Sequence, residues 1–109
     1  MSFTLPEIAL ESQAEGLSPT QLSEMRLWLA GHYAYLTDKL SQILMQKPAI
    51  WNELRKGVKS DTACERIWQQ TKDGLLETSL RLKLKSIEKL MSGIKTRIEV
   101  MIGESKSLY

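Results

Sequence analysis

The clearest structural signal in the chain is the segment of residues 76–101, LETSLRLKLKSIEKLMSGIKTRIEVM. Apolar side chains recur in it three and four positions apart, which is the pattern of a helix that faces another helix. They are Leu76, Leu80, Leu84, Ile87, Met91, Ile94, Ile98 and Met101. Thr62 and Glu65 have the spacing of a capping box, and no proline interrupts the rest of the chain. The sequence therefore predicts one long helix from there to about Lys106, with any bend at Gly74.

A second long helix is predicted upstream of this segment. Ser18 can cap free backbone donors, Pro19 suits the first helical position, and Gln21 completes a capping box. From Pro19 to about Gln46 the apolar residues again follow a coiled-coil-like stripe. The stripe consists of Leu22, Met25, Leu29, Tyr33, Leu36, Leu40 and Ile43.

Pro48 is expected to stop or kink this helix, because proline disfavours helical geometry at the preceding residue and lacks an N–H donor. Ile50 and Leu54 nevertheless continue the stripe, which favours a kink or a short helix that runs on in nearly the same direction. Gly57 then ends the helix. Residues 55–61, RKGVKSD, form a basic turn.

These elements predict an all-α protein: a long antiparallel helical hairpin with a coiled-coil-like seam, preceded by a short N-terminal helix. The acidic segment 1–17 carries the short helix, and residues 18–109 form the hairpin domain. A chain of 109 residues buries a modest fraction of its surface, and a two-helix hairpin has little apolar interior. We therefore expect a homo-oligomer, although a three-helix monomer remains an alternative.

Nothing in the sequence points to catalysis, a cofactor or a metal. His32 lies beside the apolar stripe and Cys64 lies in the first turn of a predicted helix, and both are more typical of packed side chains than of a base, nucleophile or ligand. No glycine-rich phosphate loop and no dinucleotide fingerprint occurs. No apolar run has the length of a membrane span, and the start of the chain lacks the pattern of a signal peptide. We predict a non-catalytic cytoplasmic protein with no membrane partner.

The strongest functional signal is the uneven distribution of charge. Residues 1–24 contain no Lys or Arg, whereas residues 81–97 hold six basic residues against one acid. On a helix several of these form a ridge opposite the seam, and a second basic cluster lies near the turn. Such surfaces suit a phosphate backbone. The candidate nucleic-acid-binding residues are Arg55, Lys56, Lys59, Arg66, Arg81, Lys85, Lys89 and Lys95.

An ordinary solvated face is the alternative interpretation of these charges. Glu77 with Arg81, Lys85 with Glu88, and Lys95 with Glu99 all have the spacing of helical ion pairs. No base-reading motif is present, so we expect any binding to follow backbone charge and strand state.

The aromatic and seam residues predict a protein interface as well. Three tryptophans in so short a chain cannot all be deeply buried in one hairpin, and aromatic side chains supply large contact areas. Trp51 and Trp68 also offer stacking surfaces to unpaired bases near the basic turn. Simple core packing is the alternative. The candidate interface residues are Trp28, Tyr33, Trp51, Trp68, Leu84, Ile87, Met91, Ile94 and Ile98.

The arrangement of residues 20–105 resembles the UvsY-like recombination mediators of tailed phages. The resemblance consists of the run Trp28-Leu29-Ala30-Gly31-His32 followed by Leu36, Leu40 and Gln46-Lys47, the basic turn, and the segment Ser92-Gly93-Ile94-Lys95-Thr96-Arg97 in an amphipathic terminal helix. The acidic N-terminal segment departs from this pattern, which leaves the assembly and the partners open.

This resemblance implies a non-catalytic oligomer that binds single-stranded DNA and loads a recombinase onto strands coated by a single-strand-binding protein. Such a protein would act in the host cytoplasm during recombination or replication. Two other functions remain open from the residues themselves. One is a helical adaptor or inhibitor that binds a protein through the seam and the tryptophans, and the other is a structural subunit of a larger particle.

Overall fold

The computed structural model of the chain describes Ile8 and residues 16–107, with the side chains of Ile8 and residues 16–104. Three α-helices make up most of this part: α1 (Pro19–Arg55), α2 (Asp61–Gln70) and α3 (Lys72–Ser107). The predicted all-α class and helical hairpin are confirmed. Ile8 is helical and fully buried, and the rest of the predicted N-terminal helix lies outside the described residues. The boundary between residues 17 and 18 and the oligomeric state stay predictions.

The start of α1 is the capping box that the sequence predicts. The Ser18 backbone N–H donates to Gln21 Oε1 at 2.8 Å, and the Gln21 N–H donates to Ser18 Oγ at 3.2 Å. Two backbone donors that lack helical partners are thereby satisfied. Pro19, which has no N–H to satisfy, takes the first helical position.

Pro48 lies inside α1 and does not end it. The prediction that the stripe continues past Pro48 is confirmed, because one helix extends to Arg55. Pro48 itself is exposed, so its ring lies on the outer side of α1 and does not enter the core. Ile43 before it is buried and Leu54 after it is half-buried, which gives the helix apolar contacts on both sides of the proline.

The long terminal helix is interrupted at Thr71, which corrects the prediction of one helix with a bend at Gly74. Ser60, whose hydroxyl accepts from the Ala63 N–H at 3.1 Å, begins α2. Thr71 then adopts an extended conformation and caps both neighbouring helices. Its hydroxyl donates to the Trp68 carbonyl at 2.6 Å and accepts from the Gly74 N–H at 3.0 Å. Because one side chain satisfies the end of α2 and the start of α3, a break of one residue is stable here.

The junction requires glycine at position 74 because a residue with a side chain would not fit there. A Cβ at this position would lie 2.7 Å from the Trp68 carbonyl carbon and 3.0 Å from the Gln69 Cα. Both are backbone atoms of α2, which cannot move aside as a flexible side chain would. The first turn of α3 therefore approaches the end of α2 only because residue 74 has no side chain.

The helices form two compact units, each with its own core. The first contains α1 up to Ala34 and α3 from Lys85 onward, and the second is Tyr35–Leu84. The buried residues follow the predicted stripes on both long helices, which confirms the seam. The first unit buries Leu22, Met25, Leu29, Ile87 and Ile94 beside Ile8, and the second buries Leu36, Leu40, Ile43, Cys64, Trp68, Leu80 and Leu84. Leu76 is the exception, since it is 44% exposed.

Replacement of Gly74 by alanine tests the junction. Alanine is favoured over glycine inside a helix by about 1 kcal/mol, but here the added methyl group meets backbone. We expect Gly74→Ala to lower the free energy of unfolding by about 1 to 3 kcal/mol, as overpacking does. Gly93→Ala is the matched control, because a Cβ there meets no atom within 4 Å, and it should stabilise the protein by about 0.5 to 1 kcal/mol. Urea unfolding of both variants measures the difference, and a stabilised Gly74→Ala would contradict the tight junction.

Candidate nucleic-acid interface

Three of the predicted nucleic-acid-binding lysines lie in the first unit, on the outward side of α3. Lys85, Lys89 and Lys95 are all exposed, and Ile87 and Ile94 on the opposite side of the helix are buried. Among the described residues, none of the three lysines forms an ion pair. Their ammonium groups are therefore open to an external anion.

Glu88 does not neutralise Lys85 as the helical spacing predicts. The Tyr33 hydroxyl of α1 donates to Glu88 Oε1 at 2.7 Å, so this carboxylate is held toward α1. The hydrogen bond to Glu88, with smaller effects of burial and of the carboxylate charge, raises the pKa of Tyr33. Within residues 16–104 the predicted pairs of Lys85 with Glu88 and of Lys95 with Glu99 do not form, whereas the predicted pair of Glu77 with Arg81 does.

The remaining candidates lie in the second unit, and three of them already have partners. Arg55 Nε donates to Asp61 Oδ1 at 2.8 Å, and its Nη1 donates to the Val58 carbonyl at 2.6 Å, so Arg55 organises the turn. Lys56 pairs with Glu53 at 2.8 Å. Arg81 pairs with Glu77 at 3.2 Å. Lys59 and Arg66 are exposed, and neither has an ion pair within the described part of the chain.

The structure corrects the predicted role of Trp68 as a stacking surface. Trp68 is 1% exposed and belongs to the core of the second unit, so no face of its ring is available to a base. Trp51 is half-buried, and its Nε1 donates to Glu65 Oε2 at 3.2 Å. It lines an open groove of about 510 Å³ together with Arg66. Trp51 is therefore the tryptophan of this unit that a base can reach.

The predicted protein interface divides into buried and partly accessible residues. Leu84, Ile87 and Ile94 are buried within the chain and belong to its core. Their predicted place in an outer interface is therefore wrong, as it is for the buried Trp68. Tyr33, Met91 and Ile98 are half-buried. Trp28 is half-buried too and stacks on His32, with ring centroids 5.0 Å apart.

A polar cluster that the sequence analysis did not identify surrounds Glu77 in the second unit. Lys47 Nζ of α1 donates to Glu77 Oε1 at 3.2 Å, and Trp68 Nε1 of α2 donates to the same oxygen at 3.3 Å. Arg81 Nε of α3 donates to Oε2 at 3.2 Å. One carboxylate thus accepts hydrogen bonds from all three helices, and its side chain is 12% exposed.

Lys47 makes further contacts within this cluster. Its Nζ lies 3.6 Å from Glu65 Oε1 and 5.2 Å from the centre of the Trp68 ring. The first contact is an ion pair, and the second is a cation–π interaction with the indole ring. Lys47 is therefore held by two carboxylates and one aromatic face, and it is a structural residue.

The surroundings of Glu77 keep it ionised. Burial alone would raise its pKa, because an apolar environment disfavours the charged form. The hydrogen bonds and positive charges of Lys47 and Arg81 outweigh this effect and hold the pKa of Glu77 below its ordinary value. The sequence contains a pattern that predicts this buried position. Glu77, Leu84, Met91 and Ile98 are spaced seven apart, so Glu77 occupies the seam position that the apolar pattern had assigned to Leu76.

Cys64 and His32, the side chains with the greatest chemical reactivity, are both packed. Cys64 is fully buried, and burial raises the pKa of its thiol, which donates to the Trp51 carbonyl at 3.4 Å. His32 is half-buried against Trp28. Among residues 16–104, no group of three His, Cys, Asp or Glu side chains is arranged to hold a metal ion. None of the helices in the described part combines the length and apolarity that a membrane crossing requires.

Comparison with known proteins identifies no relative of this chain: no protein-family model, no curated protein and no solved structure matches it.

Replacement of Glu77 by glutamine tests the polar cluster. The amide is neutral and cannot pair with Lys47 as an ion, and its nitrogen cannot accept from Arg81 as the carboxylate does. We therefore expect a loss of about 2 to 4 kcal/mol in the free energy of unfolding, since a buried charge loses its counter-ion. The control is Glu53→Gln, which removes an exposed pair and should change stability by less than about 0.5 kcal/mol. Urea unfolding of both variants gives the comparison. Equal effects would mean that the cluster does not stabilise the fold.

The stability difference between the wild type and Glu77→Gln should depend on pH in a defined direction. Because the folded pKa of Glu77 is depressed, its contribution to stability is fully present above the unfolded value of about 4.3 and is lost as the pH falls through the folded pKa. We expect the stability difference between wild type and Glu77→Gln to shrink as the pH is lowered from neutral through this window. Urea unfolding across this pH range measures it, and a difference that stays constant would contradict the depressed pKa.

Proposed function

We propose that this chain is a non-catalytic, homo-oligomeric accessory protein that binds single-stranded DNA during recombination or replication. The observation that carries the proposal is the set of exposed lysines on α3, Lys85, Lys89 and Lys95, which have no carboxylate partner among the described residues. Unneutralised surface charge of this kind binds a phosphate backbone through the release of condensed counterions.

The Tyr33–Glu88 hydrogen bond supports this assignment. Without it, Glu88 would be positioned for the ion pair with Lys85 that the helical spacing favours. The Tyr33 hydroxyl donates to Glu88 Oε1 at 2.7 Å, so the carboxylate is held toward α1. Lys85 and Lys89 are one turn apart on the outer side, where two positive charges face solvent together.

Trp51 supports a preference for unpaired strands. A half-buried indole beside an exposed arginine, here Arg66, is the combination on which single-stranded bases stack. The two carboxylates that share this groove are engaged within the chain, Asp61 by Arg55 and Glu65 by Lys47 and Trp51. Backbone contacts of this type carry no base specificity, so binding should be independent of sequence.

The proposed partners beyond DNA follow from the resemblance to phage recombination mediators. They are a recombinase and a single-strand-binding protein, and the proposed role is to load the first onto strands coated by the second. The cytoplasm is the compartment in which we propose that this occurs.

A helical adaptor or inhibitor is the second candidate, and it has an observation of its own. Leu75 and Leu82 are 61% and 62% exposed and lie seven residues apart on α3. Apolar side chains in such a row suit a helix of another protein. This candidate predicts a protein partner whose capture is insensitive to nuclease.

Removal of two lysines tests the DNA-binding function. With a fluorescent oligothymidylate as the probe, the wild-type affinity should fall steeply with salt. The double variant Lys85→Gln with Lys89→Gln should bind about tenfold or more weakly at low salt. It should also lower the slope of log affinity against log salt by about 1.4, because each lost phosphate contact to a single strand contributes about 0.7.

The matched control is Lys39→Gln with Lys72→Gln, which changes the net charge equally. Both lysines are exposed and neither belongs to the candidate surface, so we expect affinity close to that of the wild type. No binding by the wild type at low salt would refute the proposal and favour the adaptor. Equal losses in both double variants would show that only net charge matters and not this surface.

A further inference from the structure

A groove in the first unit lies on one side of α1 and α3. It consists of two adjoining cavities of about 340 and 330 Å³, which share Ala30 and Met91. Arg26 and Leu27 line the first, and Tyr33 and Glu88 line the second. The middle of the groove is therefore apolar, one cavity has a guanidinium, and the other has a carboxylate.

Arg26 is incompletely satisfied in this groove. Its Nε is buried and has no hydrogen-bond partner, and no ion pair to Arg26 occurs in the part of the chain that the structure describes. A buried donor without an acceptor is costly, whereas a guanidinium that meets a carboxylate forms short, charge-assisted and often bidentate hydrogen bonds. Arg26 would gain these bonds from a carboxylate brought into the groove by another molecule.

Glu88 is the complementary group. Its Oε1 accepts from Tyr33, which fixes the side chain at its cavity and leaves Oε2 for a second donor. A positive and a negative group separated by an apolar centre form a self-complementary surface, because a two-fold rotation about that centre exchanges the two charged positions. Such a surface fits a second copy of itself.

We propose that a second copy of this chain docks on this groove by two-fold symmetry. Arg26 of each subunit pairs with the partner's Glu88, and Ala30 and Met91 of the two subunits meet at the centre. Leu27, which is 75% exposed in the single chain, becomes covered by this contact. The result is a closed dimer, since an isologous contact uses the same patch on both subunits.

This inference deepens the oligomeric part of the proposed function and rests on it, but it does not depend on DNA binding. The lysines Lys85 and Lys89 are not part of the groove lining. A failure of DNA binding with the dimer intact, or of dimerisation with DNA binding intact, therefore separates the two proposals.

Charge reversal with complementation tests the dimer. Arg26→Glu places two carboxylates opposite each other at both contacts, and Glu88→Arg places two guanidinium groups there. Each variant alone should weaken dimerisation by at least about tenfold, because like charges at an interface are strongly disfavoured. An equimolar mixture of the two variants restores both attractive contacts and should form a heterodimer. Sedimentation velocity over a range of concentrations, without DNA, measures each mass, and circular dichroism verifies that each variant is helical.

Arg66→Glu is the matched control, since it reverses an exposed arginine of the second unit and should leave the dimer mass unchanged. The double variant Arg26→Glu with Glu88→Arg should dimerise with itself, which keeps the test valid where one single variant folds poorly. If the wild type is monomeric at all concentrations, the proposed dimer is wrong, and the groove would then suit a partner other than a second copy. An assembly that neither single variant weakens, or a mixture that does not associate, overturns it as well.

Discussion

The carboxylate of Glu77 is the polar group that connects the three helices of the second unit. It accepts from Lys47 of α1, Trp68 of α2 and Arg81 of α3. Apolar stripes such as those of α1 and α3 attract each other without direction, so a shift along the seam costs little. The hydrogen bonds from Lys47 and Trp68 to this buried charge are directional, and each is lost when its helix shifts relative to α3. We interpret Glu77 as the residue that sets the register of the three helices, as single polar groups do in coiled coils.

The junction at Thr71 explains why α2 exists as a separate helix. Its hydroxyl closes α2 and opens α3, and Gly74 allows the first turn of α3 to lie against backbone atoms of α2. This arrangement leaves Trp68 near the end of α2, where its indole N–H reaches Glu77. The interruption of the helix and the polar cluster are therefore parts of one arrangement.

Intrachain hydrogen bonds divide the basic residues into two groups. Arg55, Lys47 and Arg81 serve the fold, because each binds a carboxylate of another turn or helix. Lys85 and Lys89 make no such bond within the described residues, and Glu88 is engaged by Tyr33. The basic residues available to an external anion are therefore Lys85, Lys89 and Lys95 of α3 in the first unit, together with Lys59 and Arg66 of the second unit. This division, and not the net charge of +2, is what supports a nucleic-acid partner.

Local and periodic features could be predicted from the sequence, because they depend on residues that are close together in the chain. The capping box of Ser18 and Gln21, the stripe from Leu22 to Ile43 and the seam from Leu80 to Ile94 all follow from helical geometry alone. The contacts of Glu77 with Lys47 and Trp68, and the hydrogen bond of Tyr33 to Glu88, join residues 9 to 55 positions apart. No local rule specifies such contacts or the burial of Trp68. The sequence by itself determined that the chain is helical and where its long helices face each other. Only the tertiary structure decided which charges are neutralised and which stay open, because that depends on side chains that meet across helices.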